Sequence, residues 1–360
     1  MLEPVWSNLR ADTVRRELSA LERAGLDIGE LQTAAAEIVH RVVPYDATCW
    51  ATVDPDSNVL TSSVTLQFDP SPELETRFAE IEAAGDDLNT FRALVGSRTS
   101  VARLSDAGLD AIEASPRLAD IYAPLGFGRE LRAMFSIDAR CWGVAGLLRG
   151  SGSADFSDDE VAFLGSVSSL IAGGIRTAVL SSRANELVEL GSAVLVVSNS
   201  GAILAATPQA EQRLAALDGS GRTSLALAMR SVVAAVRLQR VAHARARLRD
   251  ATGAWITITA SPLRSANEEH QIAVTIEPTL RADLTDLLLT AHGLTARERE
   301  ICAQVLAGKS TSQISASLYI SANTVQDHLK SVFGKTGVRS RRELVAWLSN
   351  ERAVGSSPDV

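Results

Sequence analysis

Lysine is missing from the first 308 residues of this 360-residue chain; Lys309, Lys330 and Lys335 are all it has, and elsewhere every strongly basic side chain is arginine. Cysteine is almost as scarce. Three widely spaced thiols, Cys49, Cys141 and Cys302, cannot make a disulfide framework and suit a reducing cytoplasm. Histidine is rare too: His40, on a helical pattern, is the only one before residue 243, which leaves a haem in the front half one axial candidate. No HExxH, GxSxG, clustered His/Cys or paired-carboxylate pattern occurs, so neither an enzyme, a resident metal nor a cofactor is expected. Uninterrupted apolar runs are missing as well. The most apolar stretch, VAFLGSVSSLIAGGIRTAVL (161–180), holds four Ser or Thr, three Gly and Arg176, and reads as an amphipathic helix rather than a membrane span. The amino-terminal MLEPVWSNLRADTVRREL has acids, an early Trp and no apolar core, which argues against a secretory signal.

What is present belongs to a globular chain of several domains: 46% hydrophobic and 22% charged residues, and too many residues for one ordinary core. The net charge of −8 is unevenly spread. Residues 294–350 carry eight basic side chains against four acidic ones, a surplus of about four positive charges that leaves the rest near −12. A basic module on an acidic body suits electrostatic attraction to phosphate.

Three textures follow one another. Residues 1–182 mix helical periodicity (12–24, 28–43, 72–84, 157–182) with strand patterns (46–54, 58–67, 129–138, 141–149). RELRAMFSID and CWGVAGLLR read as a hairpin around Ala139-Arg140, and Ser157 with Glu160 forms a capping box. Residues 183–278 give strand, turn (Asn199-Ser200-Gly201), strand, helices from Pro208 and over 224–240, then three strands with a turn at Ala251-Thr252-Gly253. No internal repeat is visible. Both segments are α+β; by element order the first resembles a GAF domain and the second a PAS domain. Residues 279–293 (TLRADLTDLLLTAHG) read as a linker helix, 294–350 as an all-α domain and 351–360 as a tail.

The all-α segment is punctuated by local signals. Thr295 with Glu298, Ser310 with Gln313 and Ser340 with Glu343 form capping boxes, Ser321 starts a third helix, and Gly308 and Gly337 end helices. Four short helices result. LTAREREICAQVLAGKSTSQISASLYISANTVQDHLKSVFGKTGVRSRREL resembles the helix-turn-helix domain of LuxR-type regulators, with the T-x-R-E opening, the A-G-K-S turn, the S-x-x-T-V start of the recognition helix and the K-x-G-V-x-S-R ending. The resemblance implies that helix 321–336 enters the major groove of duplex DNA and that the domain works as a symmetric dimer; RNA polymerase joins the partners if the protein activates. AQVLAGKS (303–310) imitates a phosphate loop, but an amphipathic helix precedes it and Gly308 caps that helix.

With Val325, Leu329 and Val332 turned inward, Asn323, Gln326, Asp327 and Lys330 project outward as candidate base readers. Asp327 has two readings, an acceptor for cytosine or a partner for Lys330. Ser321, Thr324, Lys335, Ser340 and Arg341 stand at helix ends as candidate phosphate contacts, and His328 reads as a core-edge residue. Leu344, Trp347 and Leu348 of the fourth helix are the candidate dimer seam, with Trp347 resting on its own domain as the alternative.

Twelve of the sixteen Phe, Trp and Tyr lie before residue 181, which makes the first domain the better sensor of a small, largely apolar effector. Trp50, Phe91, Tyr122, Phe127, Met134 and Cys141 are candidates for a pocket or simply for the core, with segments 86–104 and 120–130 as loops over it. Helices at 157–190 and 279–293 would carry the signal. The competing reading is a front half that binds a protein partner and no ligand.

Overall fold

The computed structural model describes residues 3–97, 99–181, 193–198, 201–215, 224–239, 241–250, 253–264 and 271–349. Residues 199–200 and 251–252 of the two expected turns, the segment 182–190 and the tail 351–360 lie outside them. The chain divides into two compact units: residues 3–178 with 193–278 form the front unit, and 279–349 with 179–181 the second.

In the front unit, α1 (Glu3–Leu21) and α2 (Ile28–His40) precede β1 (Ala47–Val53) and β2 (Leu60–Leu66). Then come α3 (Pro72–Ala84), α4 (Phe91–Val95), β3 (Val101–Arg103), α5 (Leu109–Glu113) and a π-helical turn at Leu118–Tyr122. The long strands β4 (Phe127–Ile137) and β5 (Arg140–Gly150) and the helix α6 (Asp158–Ser181) close the module. The five strands form one antiparallel sheet in the order β2-β1-β5-β4-β3. The β4–β5 hairpin turns at Asp138 and Ala139, one residue earlier than the sequence suggests; both adopt positive φ (53° and 59°), as the twist of a two-residue hairpin demands.

One face of this sheet is closed by the long apolar helix α6. Its Ser168 hydroxyl donates to the Met134 carbonyl (2.7 Å), and a Cβ on Gly143 would stand 2.6 Å from Ile175 Cδ1, so a larger residue there would push the end of the Ile175 side chain aside. Leu164, Val167, Ile171 and Ile175 are all buried. By length and composition this helix could cross a membrane, but 61% of its most apolar window is buried inside the protein, as a core helix requires. Ser157 and Glu160 make the expected capping box (3.3 and 2.7 Å).

The second sheet follows from β6 (Ala193–Ser198) and β7 (Ile203–Ala206), α7 (Pro208–Ala215), α8 (Ser224–Gln239), β8 (Ala244–Arg249), β9 (Trp255–Leu263) and β10 (Gln271–Pro278). Its order, β7-β6-β10-β9-β8, repeats that of the first sheet although no sequence repeat announces it. Sequence reasoning separated these segments into two domains; the structure joins them through α8, which is apolar nearly all round. Ala228, Val232 and Val236 enter the core of the second sheet, Leu227 joins an apolar cluster of the first, and Ala234 packs with Ala79 and Ala83 of α3. Ion pairs Glu75–Arg230 and Glu80–Arg237 flank this helix contact. Buried Arg247 of β8 grips Asp54 (Nε–Oδ2 2.8 Å, Nη2–Oδ1 2.9 Å) and also pairs with Asp56.

The second unit holds α9 (Arg281–Ala291), α10 (Ala296–Leu306), α11 (Thr311–Leu318), α12 (Ala322–Thr336) and α13 (Arg341–Ser349). Ile301, Val305, Ile314, Val325, Leu329 and Val332 form its core. The stretch expected to be a linker is part of this domain, because Leu289 enters the same core and Arg299 holds Asp286 through two 2.8 Å bonds.

Candidate functional site

The polar face of α12 is set by its ends. Ser321 accepts from the Thr324 amide (3.0 Å), its hydroxyl lies 2.8 Å from that of Thr324, and Gly337 at φ 74° terminates the helix. With Val325, Leu329 and Val332 buried, the helical period exposes Asn323, Gln326, Asp327 and Lys330 to solvent. Three of these side chains are already engaged. The Gln326 amide donates to Thr311 Oγ1 (3.2 Å), tying α12 to the start of α11, and Asp327 lies 3.7 Å from Lys330 with both side chains about three-quarters exposed. The structure thus shows the ion-pair arrangement of Asp327. His328 is half-buried.

Beneath this face lies a charged hub that sequence reasoning missed. Glu298, 3% exposed, accepts from the Thr295 amide (2.7 Å), the Ser331 hydroxyl (2.6 Å) and the Lys335 ammonium (2.7 Å), and so couples α10 to α12. Burial pushes its carboxyl up, but the bonds from Lys335, Ser331 and Thr295 outweigh it and bring the pKa down to about 2. Lys335, read from the sequence as a phosphate contact, is therefore committed to Glu298, and only a third of its side chain is exposed. Arg341 likewise donates to the Lys309 carbonyl. Ser340 accepts from the Glu343 amide (3.1 Å), but Glu343 reaches back to the Arg339 amide (2.8 Å), so the last box is displaced by one residue.

The expected dimer seam changes as well. Leu344 and Leu348 are buried in the core of their own domain and are not available to a partner, because the period of α13 turns them inward with Val332 and Val338. Trp347 stacks edge-on against His292 (5.1 Å), partly exposed. The apparent phosphate loop is preceded by α10, and Gly308 takes φ 77° at its end, which is a helix cap.

The front unit contains a cavity of about 70 Å³ over the sheet face that α6 does not cover. Its floor is Cys49, Ala51, Val144, Gly146 and Leu148, alternate residues of β1 and β5. Leu74 and Phe78 of α3, Phe91 of α4, and Ile121 and Tyr122 wall it, and Leu227 of α8 completes it. Of the six pocket candidates read from the sequence, Phe91 and Tyr122 line this space. Trp50 does not: it points to the opposite face and stacks on Phe135 (4.9 Å). Met134 and Cys141 belong to an adjoining apolar cluster, and Phe127 meets Phe68 edge-on (6.4 Å) beside the cavity. Burial pushes the Cys49 and Cys141 thiols up to about 12, so neither is a reactive thiolate. Among the described residues no cluster of His, Cys, Asp or Glu could hold a metal.

A buried charge network borders the cavity. Arg117 donates to Glu130 Oε2 (2.9 and 3.2 Å), Asp87 (3.1 Å) and the Leu88 carbonyl (2.7 Å), and the Tyr122 hydroxyl donates to Glu130 Oε1 (3.0 Å). Arg132 Nη2 stands 2.7 Å from Glu82 Oε1.

Comparison with known proteins bears on the second unit. The family model for bacterial regulatory proteins of the luxR family (GerE) matches residues 292–348. The spore germination protein GerE of Bacillus subtilis is 38% identical over 55 residues, 15% of this chain and 74% of its own length. The monoamine regulon transcriptional regulator of Klebsiella aerogenes is 39% identical over 89 residues, 23% of this chain, and the match spans only 39% of that regulator. Escherichia coli SdiA aligns over 95% of this chain and 98% of its own at 13% identity with a TM-score of 0.33, too low for a shared overall fold. Through its carboxy-terminal helix-turn-helix domain the chain belongs to the luxR family of bacterial regulatory proteins.

Proposed function

We propose that this protein is a cytoplasmic, homodimeric transcriptional regulator that binds duplex DNA through α12 and is controlled by a small, largely apolar effector in the cavity of the front unit. The DNA reading is carried by one observation: α12 buries Val325, Leu329 and Val332 and turns Asn323, Gln326, Asp327 and Lys330 to solvent. Gln326 suits adenine and Lys330 guanine; binding to guanine would detach Lys330 from Asp327 and leave the acid for a cytosine amine. Ser321, Thr324, Ser340 and Arg341 stand at helix ends where phosphate oxygens pass. Trp347 remains the seam candidate on α13. RNA polymerase is the further partner if the protein activates.

The shared strand order of the two front sheets supports the GAF-like and PAS-like reading. The cavity supports effector binding: it is walled by apolar side chains with few polar groups, the usual make-up of a ligand site. Because α3 and α8 both wall it, an occupant that fits one spacing of these helices better than another biases the front unit between the two. Selection of bound duplexes from a random pool, with native mass measurement of the same full-length preparation, tests both halves. A recurring two-fold-symmetric site and a retained small molecule are expected. Binding that discriminates no sequence would remove the regulator reading. A second reading, control by a protein partner, has the edge strand β7 on its side, where Ile203 and Leu204 are 46% and 52% exposed.

A further inference from the structure

The geometry points to Ser63 and Thr65 as the polar anchors of the cavity, and to a small, uncharged molecule as its occupant, one whose apolar body ends in a carboxamide-like pair of polar atoms. This rests on the effector-binding reading of the cavity.

Strand β2 is an edge of the first sheet, and its register lays two rows across the cavity floor. Ser63 stands opposite Ala51, and Ala51 opposite Val144; Thr65 stands opposite Cys49, and Cys49 opposite Gly146. All six residues line the cavity. The floor therefore carries hydroxyls along β2 and apolar or thiol side chains along β1 and β5. Phe78 and Phe91 wall the far side, where their rings meet Arg132 of β4, the strand beyond β5.

The other polar groups of the lining are spoken for. Glu75 is paired with Arg230, the Tyr122 hydroxyl donates to Glu130 (3.0 Å), and the Cys49 thiol is only a weak donor. Neighbouring hydroxyls of the same two strands are satisfied as well: Thr52 bonds Thr61 (2.8 Å) and Ser62 (2.6 Å), and Thr48 donates to the Gly146 carbonyl (2.8 Å). Ser63 and Thr65, both half-buried, hydrogen-bond to no described residue through their side chains. Each hydroxyl can donate and accept, so an occupant that displaces their water without replacing its bonds loses affinity. Spacing decides what replaces them. Residues two apart on a strand project to one face about 6.6 Å apart. A single oxygen with two ordinary bonds spans at most about 5.6 Å, whereas the oxygen and nitrogen of a carboxamide, about 2.3 Å apart, close the gap. Charge narrows the class further. Among the described residues of the lining Glu75 is the one charged side chain, and no Lys, Arg or His joins it. An anion would be buried there without a counter-ion, and a cation would compete with Arg230 for Glu75. Size sets the rest: 70 Å³ has room for roughly five waters, the bulk of six or seven non-hydrogen atoms.

Cyclobutanecarboxamide and cyclobutyl methyl ketone, alike in shape and differing by NH₂ against CH₃, test this on the full-length protein. Calorimetry gives their affinities for the wild type, Ser63→Ala, Thr65→Val and the double variant. Neither substitution removes a side-chain bond within the described structure, so all four proteins are expected to melt together. The cost of drying each compound is common to the four and cancels. The preference for amide over ketone is expected to be at least about fivefold greater in the wild type than in the double variant. Either single substitution is expected to remove most of it, because the ketone needs one hydroxyl and the amide both. A preference unchanged in the double variant would leave the cavity a binding site and overturn the anchors. A loss confined to one position would overturn the bridging pair. Tighter binding of cyclobutanecarboxylate or cyclobutylmethanamine than of the amide would overturn the uncharged class. If none of these rings binds the wild type, the cavity reading itself falls and the anchors with it.

Discussion

Replacing Glu298 by Gln tests whether the recognition helix is held by charge. The difference between a folded-state pKa of about 2 and the ordinary 4.5, at roughly 1.4 kcal/mol per decade, assigns the ionised carboxylate about 3 kcal/mol of stability at pH 7. That is an upper value, because Lys335 is one-third exposed and solvent screens its side of the pair. The pKa is depressed on folding, so this stability is fully present above about pH 4.5 and is lost as pH falls through 4.5 towards 2. Near pH 3 about 1.4 kcal/mol of it remains. Glu298→Gln should therefore destabilise α10–α12 by up to about 3 kcal/mol at pH 7 and by less than half of that at pH 3. Urea titration of the full-length protein, read by hydrogen-exchange mass spectrometry on α10 and α12 peptides, resolves this domain from the front unit. The same loss at both pH values would refute the electrostatic account and leave only the Thr295 cap and packing; a loss below about 0.5 kcal/mol at pH 7 would mean that the pair is screened out.

Gln326→Ala and Lys330→Ala should each relax the preference at one base pair by about 1–3 kcal/mol in a binding selection; equal weakening on every sequence would take them out of the base-reading set. Lys335→Met, by contrast, should act mainly on stability and leave the salt dependence of DNA affinity nearly unchanged, since its ammonium is held by Glu298; a slope reduced by about one ion would restore it to the phosphate contacts. Arg247→Met should lower front-unit stability by about 3–5 kcal/mol through the unpaired Asp54, and adding Asp54→Asn should recover part of it; additive losses in urea melts would show no coupling. Leu227→Ala should cost about 2–5 kcal/mol and enlarge the cavity, with an apolar ring compound recovering stability in thermal melts; stability insensitive to the compound would show that the space does not bind.

The helix-turn-helix domain is legible because its instructions are local. Thr295, Ser310 and Ser321 each bond an amide three residues on, and Gly308 and Gly337 take the left-handed conformation where each helix must stop. What failed there is long-range. Nothing near Lys335 in sequence announces Glu298, 37 positions earlier, and heptad-like spacing cannot tell whether Leu344 and Leu348 meet their own core or a partner. The cavity was half legible for a different reason. A period of two sorts a strand into two faces without naming them, and β1, an interior strand, is buried on both, with Thr48, Trp50 and Thr52 on one and Ala47, Cys49 and Ala51 on the other. Choosing Trp50 by size selected the α6 side, while the smaller Cys49 and Ala51 face the cavity.

Leu227 was out of reach of any local pattern, and its position bears on how an occupant would act. The same helix that closes the cavity sends Ala228, Val232 and Val236 into the core of the second sheet, and Ala79, Ala83 and Ala234 bring α3 and α8 into close contact. Close-packed interiors do not absorb a displaced side chain as a liquid would; they shift or they exclude the intruder. Glu75–Arg230, Glu80–Arg237 and the buried Arg247–Asp54 pair resist sliding of α8 along α3. An occupant too large for the cavity has two outlets: the loop side around Phe91, or α8 and with it the second sheet. The ion pairs oppose sliding but not a small tilt about the alanine contact, so on the proposed effector reading a tilt is the motion by which cavity filling would reach the second sheet. On that reading the two front sheets would respond together, because α8 contributes to the core of both.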